Sequence, residues 1–285
     1  MAGYKVIKLD AGTTKSLEQE HVEKVLTETD EQIIERLRER FEILDEMTRA
    51  VKHNDVRAMI VSGPPGVGKS FGVEKVLGKH ELMANIANDS KLKKFEILKG
   101  AMSAIGLYQK LYEYRDPKSI LVFDDCDSVL LDDLSLNILK AALDSSKKRT
   151  ISWNTESRVL ANEGLPNSFE FQGGAIFITN IKFDNVKSKK LRDHLEALES
   201  RCHYLDLTID TTREKILRIK QIVGDGMLDS YEFSQEEKDE VVGFIEANQG
   251  RMRELSLRMV LKVADLKKAM PDRWQRVAAL SCMRN

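Results

Sequence analysis

Gly63-Pro-Pro-Gly-Val-Gly-Lys-Ser70 joins three glycines, a lysine and a hydroxyl in the pattern G-x-x-x-x-G-K-[ST]. Such a loop can close around a phosphate: its backbone N–H groups and the N-terminus of the following helix supply positive potential, and Lys69 reaches the β and γ oxygens. Ser70 is placed to ligate Mg²⁺. Gly63, Pro64, Pro65, Gly66, Val67, Gly68, Lys69 and Ser70 are therefore the candidate nucleotide contacts. The same chemistry needs a carboxylate for the metal and a group that acts on water. Ile120-Leu-Val-Phe-Asp-Asp125 ends an apolar run in two acids, so that Asp124 could hold Mg²⁺ through its waters and Asp125 could polarise the attacking water. Two acids capping the next helix would be the simpler reading, but it leaves the hydrophobic run before them unexplained. Together the two motifs predict a magnesium-dependent ATPase.

The elements that must hold these residues are legible in the periodicity. Apolar positions from Ile33 to Val51 recur at helical spacing after a cap at Thr29 or Asp30. Short apolar runs at Ala58 to Ser62, Phe95 to Leu98, Ile120 to Phe123, Ala175 to Thr179 and Tyr204 to Leu207 are of the kind that buried parallel strands show. Helical patterns lie between them at 71–87, 103–115, 129–144 and 190–199, which implies βαβ units and a sheet covered on both faces. Beyond residue 210 the strands stop, and amphipathic helices are expected over 211–224, 234–248, 251–269 and 272–283. The expected organisation is an N-terminal arm over 1–29, an α/β nucleotide-binding domain over 30–209 and a helical domain over 210–285.

Composition narrows the partners. Lys plus Arg (45) almost balance Asp plus Glu (46), so no global field draws the chain to nucleic acid or an anionic membrane. No run approaches the ~18 apolar residues of a membrane span, and the first ten residues are charged where a secretory signal would be apolar. A cytoplasmic protein with no membrane partner is expected. Cys126, Cys202 and Cys282 lie far apart and share no metal-ligand spacing, so they are read as reduced thiols.

With both motifs in place, the chain resembles the AAA+ ATPases, and further landmarks follow in that family's order. Phe177-Ile-Thr-Asn180 resembles sensor 1, where Asn180 would orient water, although a lone Asn at a strand end is also a common turn former. Leu198-Glu-Ser-Arg-Cys202 resembles the Ser-Arg-Cys box of clamp loaders, which makes Arg201 an arginine finger for the neighbouring subunit's site. Gly250-Arg-Met-Arg253-Glu-Leu, placed at the start of a helix, resembles sensor 2, with Arg253 touching the nucleotide phosphates and Arg251 as the competing candidate. The resemblance implies a P-loop NTPase AAA+ domain of α/β class with a five-stranded parallel sheet in the order 5-1-4-3-2, plus a small all-α lid. It also implies a homo-oligomer, a ring or arc such as a hexamer, driven by ATP and Mg²⁺. Two features depart from the family: the acid pair is Asp-Asp where Asp-Glu is usual, and Lys99-Gly-Ala-Met102 lacks the aromatic-apolar-Gly triplet of threading pores.

The stretch from Arg149-Thr-Ile-Ser-Trp153 to Ser168-Phe-Glu-Phe171 alternates apolar and polar residues at both ends, as a β-hairpin would. RuvB-like and MoxR-like AAA+ proteins carry a hairpin before sensor 1 that points into the ring; the other reading is a surface excursion whose Trp153 and Phe171 cover the sheet edge. Lys147-Lys-Arg149 and Lys187-Ser-Lys-Lys190 are short basic clusters that could follow a nucleic-acid backbone, or simply be solvated. DNA or a DNA-bound complex is the expected substrate, as in replication ATPases. The alternatives are a chaperone-like remodeller of protein complexes and a monomeric P-loop kinase or switch.

Overall fold

The computed structural model describes residue 25 and residues 27–87, 95–117, 119–154, 158–183 and 186–284; side chains are not described for 79–87 and 159. The expected arm over 1–29 lies largely outside the described residues.

A long helix α1 (Asp30–His53) opens the fold, with Thr29 as its cap in a reciprocal hydrogen-bonded box with Gln32. After it, strand and helix alternate: β1 (Ala58–Ser62), α2 (Lys69–Ala87), β2 (Phe95–Lys99), α3 (Ala104–Glu113) and β3 (Ile120–Asp124). The helical pattern expected over 129–144 is two helices, α4 (Asp127–Leu131) and α5 (Asp133–Ala142). Asp132 separates them in an extended conformation, and its carboxylate accepts from the Ser135 N–H, capping α5.

Next come β4 (Thr150–Ser152), the short α6 (Arg158–Asn162), β5 (Ser168–Glu170), β6 (Gly174–Thr179), α7 (Lys189–Glu199) and β7 (His203–Asp206). Five of the strands form one sheet in the order β2-β3-β6-β1-β7, all parallel. Counted within that sheet alone, from β7, this is the order 5-1-4-3-2.

The sheet is apolar on both faces. Ile60, Leu121, Phe123, Ala175 and Phe177 join one core with α3 and α5, while Met59, Val61, Ile120, Val122, Ile176 and Ile178 join another with Leu44 and Val51 of α1 and Val73 and Leu77 of α2. Continuous rather than alternating hydrophobic runs follow from this double burial. After β7 the chain is helical: α8 (Thr212–Ile222), a π turn over Val223–Met227, a 3-10 turn over Asp229–Tyr231, α9 (Gln235–Ala247), α10 (Leu257–Ala269) and α11 (Trp274–Cys282). These helices share their own core, including Ile219, Val241, Ile245, Val260 and Trp274. The architecture is a five-stranded parallel sheet covered by helices on both faces, of α/β class, followed by a small all-α lid.

One expected boundary moves. The helix predicted from 251 begins at Leu257, with Ser256 as its cap. Residues 251–253 are turned aside because their backbone groups bond to the chain's end: the Arg253 N–H donates to Cys282 O, the Arg284 N–H donates to Arg251 O, and Met252 bridges to Met283.

The two ends of the pre-sensor segment do pair antiparallel, Ile151 facing Phe169. A tight polar turn does not join them, since α6 lies between, and residues 155–157 are outside the described set. Tyr108 of α3 meets Trp153 at 5.6 Å and Phe169 at 5.0 Å between ring centres, both edge to face. The Tyr108 hydroxyl also donates to Pro166 O (2.9 Å), so the pair is fastened onto α3.

Candidate nucleotide site

A parallel sheet carries the C-terminal ends of its strands to one edge, and three motifs meet there. Ser62 of β1 lies beside Thr179 of β6, and Asp124 of β3 beside Ile178. The loop from Gly63 therefore emerges next to the Asp124-Asp125 corner and to Asn180, in the crevice where open α/β sheets bind ligands.

Lys69 is 5% exposed, and its ammonium donates to Gly63 O (2.7 Å), Pro64 O (2.9 Å) and Asn180 Oδ1 (2.8 Å). Asn180 Nδ2 in turn donates to Asp125 Oδ1 (2.8 Å), so a continuous chain of hydrogen bonds links the loop lysine to the second acid. Asp125 takes a left-handed backbone, φ 52°, with its N–H bonded to Ile178 O. That conformation is uncommon outside glycine, though Asp and Asn tolerate it best.

The Ser70 hydroxyl donates to Asp124 Oδ1 (2.8 Å), while Lys99 lies 3.3 Å from Asp124 Oδ2 and 2.9 Å from Glu74. Burial lowers the Lys69 pKa to about 8; the charges of Asp125 and Asp124 work the other way, and Arg258 adds to the lowering. Among the described residues no three His, Cys, Asp or Glu side chains gather to hold a metal by themselves. One hydroxyl and one carboxylate fit Mg²⁺, which keeps waters and takes its remaining ligands from substrate phosphates.

The lid closes over this edge through α10. The Leu257 N–H donates to Gly66 O (2.8 Å), and a Cβ on Gly66, at φ +72°, would come within 2.6 Å of Ser256 Cβ. The expected sensor 2 residues do not lie on a helix. Arg253 precedes α10, and both it and Arg251 are exposed on the turn beside the chain end. Arg258, in the first turn of α10, is the lid arginine whose charge is felt at Lys69. Its signal was present as a Ser256 cap before an apolar run, which sets the helix start and hence the arginine's turn.

Arg201 lies elsewhere. It follows α7 and precedes β7, where His203 pairs with Met59, so it sits at the edge where strands begin. Its neighbour there is Asp144, whose carboxyl is held low first by hydrogen bonds from Ser146 and then by the charges of Arg201 and Arg57. Along the sheet, Arg201 is roughly 20 Å from the phosphate loop of its own chain at ~3.3 Å per residue. Its Nη1 donates to Ala197 O, and its Nε is buried without a partner.

The basic clusters also separate. Arg149 is buried, donating to Ala142 O and Gly173 O (3.1 Å each), so it is a structural residue rather than a contact for a polyanion. Lys190 pairs with Asp133 at the start of α5, whereas Lys147 and Lys148 lie past its far end, ~15 Å away along a ten-residue helix. Among the described residues no helix is long and apolar enough to cross a membrane.

An Enterobacteria phage T4 protein, described as an uncharacterized 36.7 kDa protein in the nrdC-mobD intergenic region, is 35% identical over 246 residues, which cover 85% of this chain and 73% of the phage protein. The chain belongs to that phage protein's family. No family model matches it. Among solved structures, domain III of the Thermotoga maritima replication initiation protein DnaA is similar with a TM-score of 0.49 at 11% identity, over 86% of this chain and 92% of that one. The S. cerevisiae Hsp104:casein complex gives a TM-score of 0.45 at 16% identity, over 83% and 39%. Drosophila ORC bound to DNA gives 0.39 at 14%, over 99% and 68%. Scores and identities of this size carry no functional argument.

Proposed function

We propose that the chain is an ATP-binding, magnesium-dependent ATP-hydrolysing motor subunit whose active sites are shared between neighbouring copies in a ring or arc. The observation that carries this reading is the linked set Lys69–Asn180–Asp125 and Ser70–Asp124 at one edge of the sheet, with Arg201 at the other.

Lys69 spends its donors on two loop carbonyls and Asn180. Phosphate oxygens would replace those acceptors and leave Asn180 to Asp125. Ser70 and Asp124 would hold Mg²⁺, which when bound neutralises charge on the β and γ oxygens. Asp125 and Asn180 would then position the water that attacks the γ phosphorus, and Asp125 would take its proton as the bond to ADP breaks. Arg258, rather than Arg253, would bring the lid's charge to the γ phosphate.

Arg201 cannot reach its own chain's loop from the opposite edge, so its role in stabilising the transferring phosphoryl group is in trans. DNA or a DNA-bound complex remains the substrate we favour, on the Ser-Arg-Cys resemblance; of the two basic clusters, Lys147, Lys148, Lys187 and Lys189 are exposed and could meet it. A remodeller of protein complexes is told apart by stimulation of hydrolysis with protein instead of DNA.

Mixing two inactive variants tests the shared site. Lys69→Ala should bind no ATP, and Arg201→Ala should bind it but lose about 10³-fold in hydrolysis, the scale of other arginine fingers. In mixed oligomers a Lys69→Ala copy still offers its Arg201 to the intact loop of an Arg201→Ala neighbour, so part of the activity should return. No recovery at any ratio, where light scattering shows mixed assemblies, would count against the shared site.

A further inference from the structure

Two arginines in the interior have their pKa lowered to about 10 by burial, and they are treated differently. Arg149 lays its guanidinium on two backbone carbonyls, Ala142 O and Gly173 O. Arg218 of α8, 6% exposed, has one such bond, Nη1 to Gln221 Oε1 (2.7 Å), while its Nε is buried with no partner. Among the described residues no carboxylate is within ion-pair distance of it. Its plane rests on the Phe41 ring of α1 at 3.5 Å, which supplies attraction for a cation but no acceptor for its N–H groups.

The place of this guanidinium matters more than its burial. Its Nη2 lies 3.7 Å from where a Cβ on Gly68 would stand, beside Phe41 Cε1 (3.7 Å) and Leu257 Cδ1 (3.4 Å). Gly68 is the residue immediately before Lys69, and the next loop position back, Val67, joins Ile33, Leu37, Ile209 and Leu217 in an apolar cluster. A buried guanidinium whose Nε has no partner, and which feels the charge of Asp225 without an ion pair to it, thus sits against the loop where α1, α8 and α10 converge. A buried N–H group without an acceptor is costly, and an anion held by the loop would supply one.

We propose that Arg218 is a nucleotide-binding residue of the lid, taking the phosphate groups of the nucleotide held by the loop and so tying the seating of α8 on α1 to a bound polyphosphate. The proposal rests on the phosphate-loop reading above, and concerns a different helix and a different arginine from the Arg258 contact. A mere clasp between α8 and α1 would need the Phe41 stack and the Gln221 contact to Ile34 O, but not a charge. Gly68, lacking a Cβ, leaves the path from the guanidinium to the loop open.

Binding of ADP and of adenosine, together with melting of the nucleotide-free protein, tests this in Arg218→Met and Arg218→Lys. Arg218→Met replaces the cation by an apolar chain of similar reach, so the nucleotide-free melting temperature should hold or rise. ADP affinity should fall about tenfold or more, the scale of a charge-assisted hydrogen bond, while adenosine affinity stays. Arg218→Lys, which keeps the charge on a single head, should fall between wild type and Arg218→Met in the ADP-to-adenosine ratio. An unchanged ratio in both variants overturns the proposal, whether or not melting drops, and assigns Arg218 to packing. Wild-type protein that binds ADP no better than Lys69→Ala would instead overturn the phosphate-loop reading itself.

Discussion

On the proposed reading Lys69 would need its proton to hold a phosphate, yet burial lowers its pKa from the ordinary 10.5 to about 8. Below pH 8 both the folded and unfolded chains hold that proton; between 8 and 10.5 the folded chain sheds it first, so the nucleotide-free fold gains stability from this group as pH rises. Nucleotide binding runs the other way. ADP affinity should weaken above pH 8 by up to about tenfold per pH unit, with proton uptake on binding visible as a buffer-dependent heat. A flat affinity from pH 7 to 9.5 would remove the lysine's titration from the site. Asp125 makes a separate demand. Asp125→Asn keeps a side chain able to bond Asn180 but cannot accept the water's proton, so hydrolysis should slow by about 10²-fold with ADP affinity retained. Single-turnover rates alongside binding titrations check this; loss of binding without loss of chemistry would move Asp125 to the metal.

At the scale of elements, α10 couples the lid to the loop through a single turn. Ser256 caps that helix by accepting from the Met259 N–H at 3.2 Å, and its Cβ occupies the space that Gly66 leaves open. Ser256→Ala keeps the Cβ and removes the cap, so it should destabilise the fold by about 1 kcal/mol, read from urea unfolding, while the contact with Gly66 stays. A change within error would mean that the seating of α10 on the loop, rather than the cap, fixes its first turn. The β4–β5 pair belongs to the same scale. Its aromatic residues are spent on α3, with Tyr112 also meeting Phe169 at 5.2 Å, so it is an element anchored by its base.

Across the whole molecule, α1 is the part to which the lid is fastened. Arg36 of α1 meets Glu214 of α8 at 3.1 Å, and Glu214 is fully buried; Arg213 pairs with Asp30 and donates to Val25 O. Arg36→Ala removes the guanidinium from a buried carboxylate that keeps its bonds from Thr211, so the fold should lose about 1–2 kcal/mol and melting should drop by a few degrees. Because Glu214 lies one turn before Arg218 on α8, the same variant should loosen the lid and weaken ADP binding. Full retention of ADP affinity in a destabilised protein would show that the fastening serves stability alone. The two edges of the sheet, Lys69 at one and Arg201 at the other, belong to this scale as well: on the proposed reading a single chain would hold half of each of two sites.

What was legible beforehand was local. The glycine-rich turn between β1 and α2 was legible because its residues are consecutive, the Asp124 corner because an apolar run ends there, and the strands because double burial leaves them hydrophobic throughout. The resemblance carried the strand order, which pairing then bore out. The rest depended on residues remote in sequence. Arg253 and Arg258 have the same chemistry, and what separates them is that residues 251–253 bond to the chain end, delaying α10 until Ser256. Arg149 reads like its lysine neighbours until the carbonyls of Ala142 and Gly173 are brought to it. Lys99 closes on Asp124 only because β2 pairs with β3, and Arg218 meets Gly68 only because α8 packs on α1. A sequence states which groups are cations; which of them keeps water, lies on a carbonyl or comes to rest beside the glycine-rich loop is decided by packing, because the cost of a charge depends on what surrounds it.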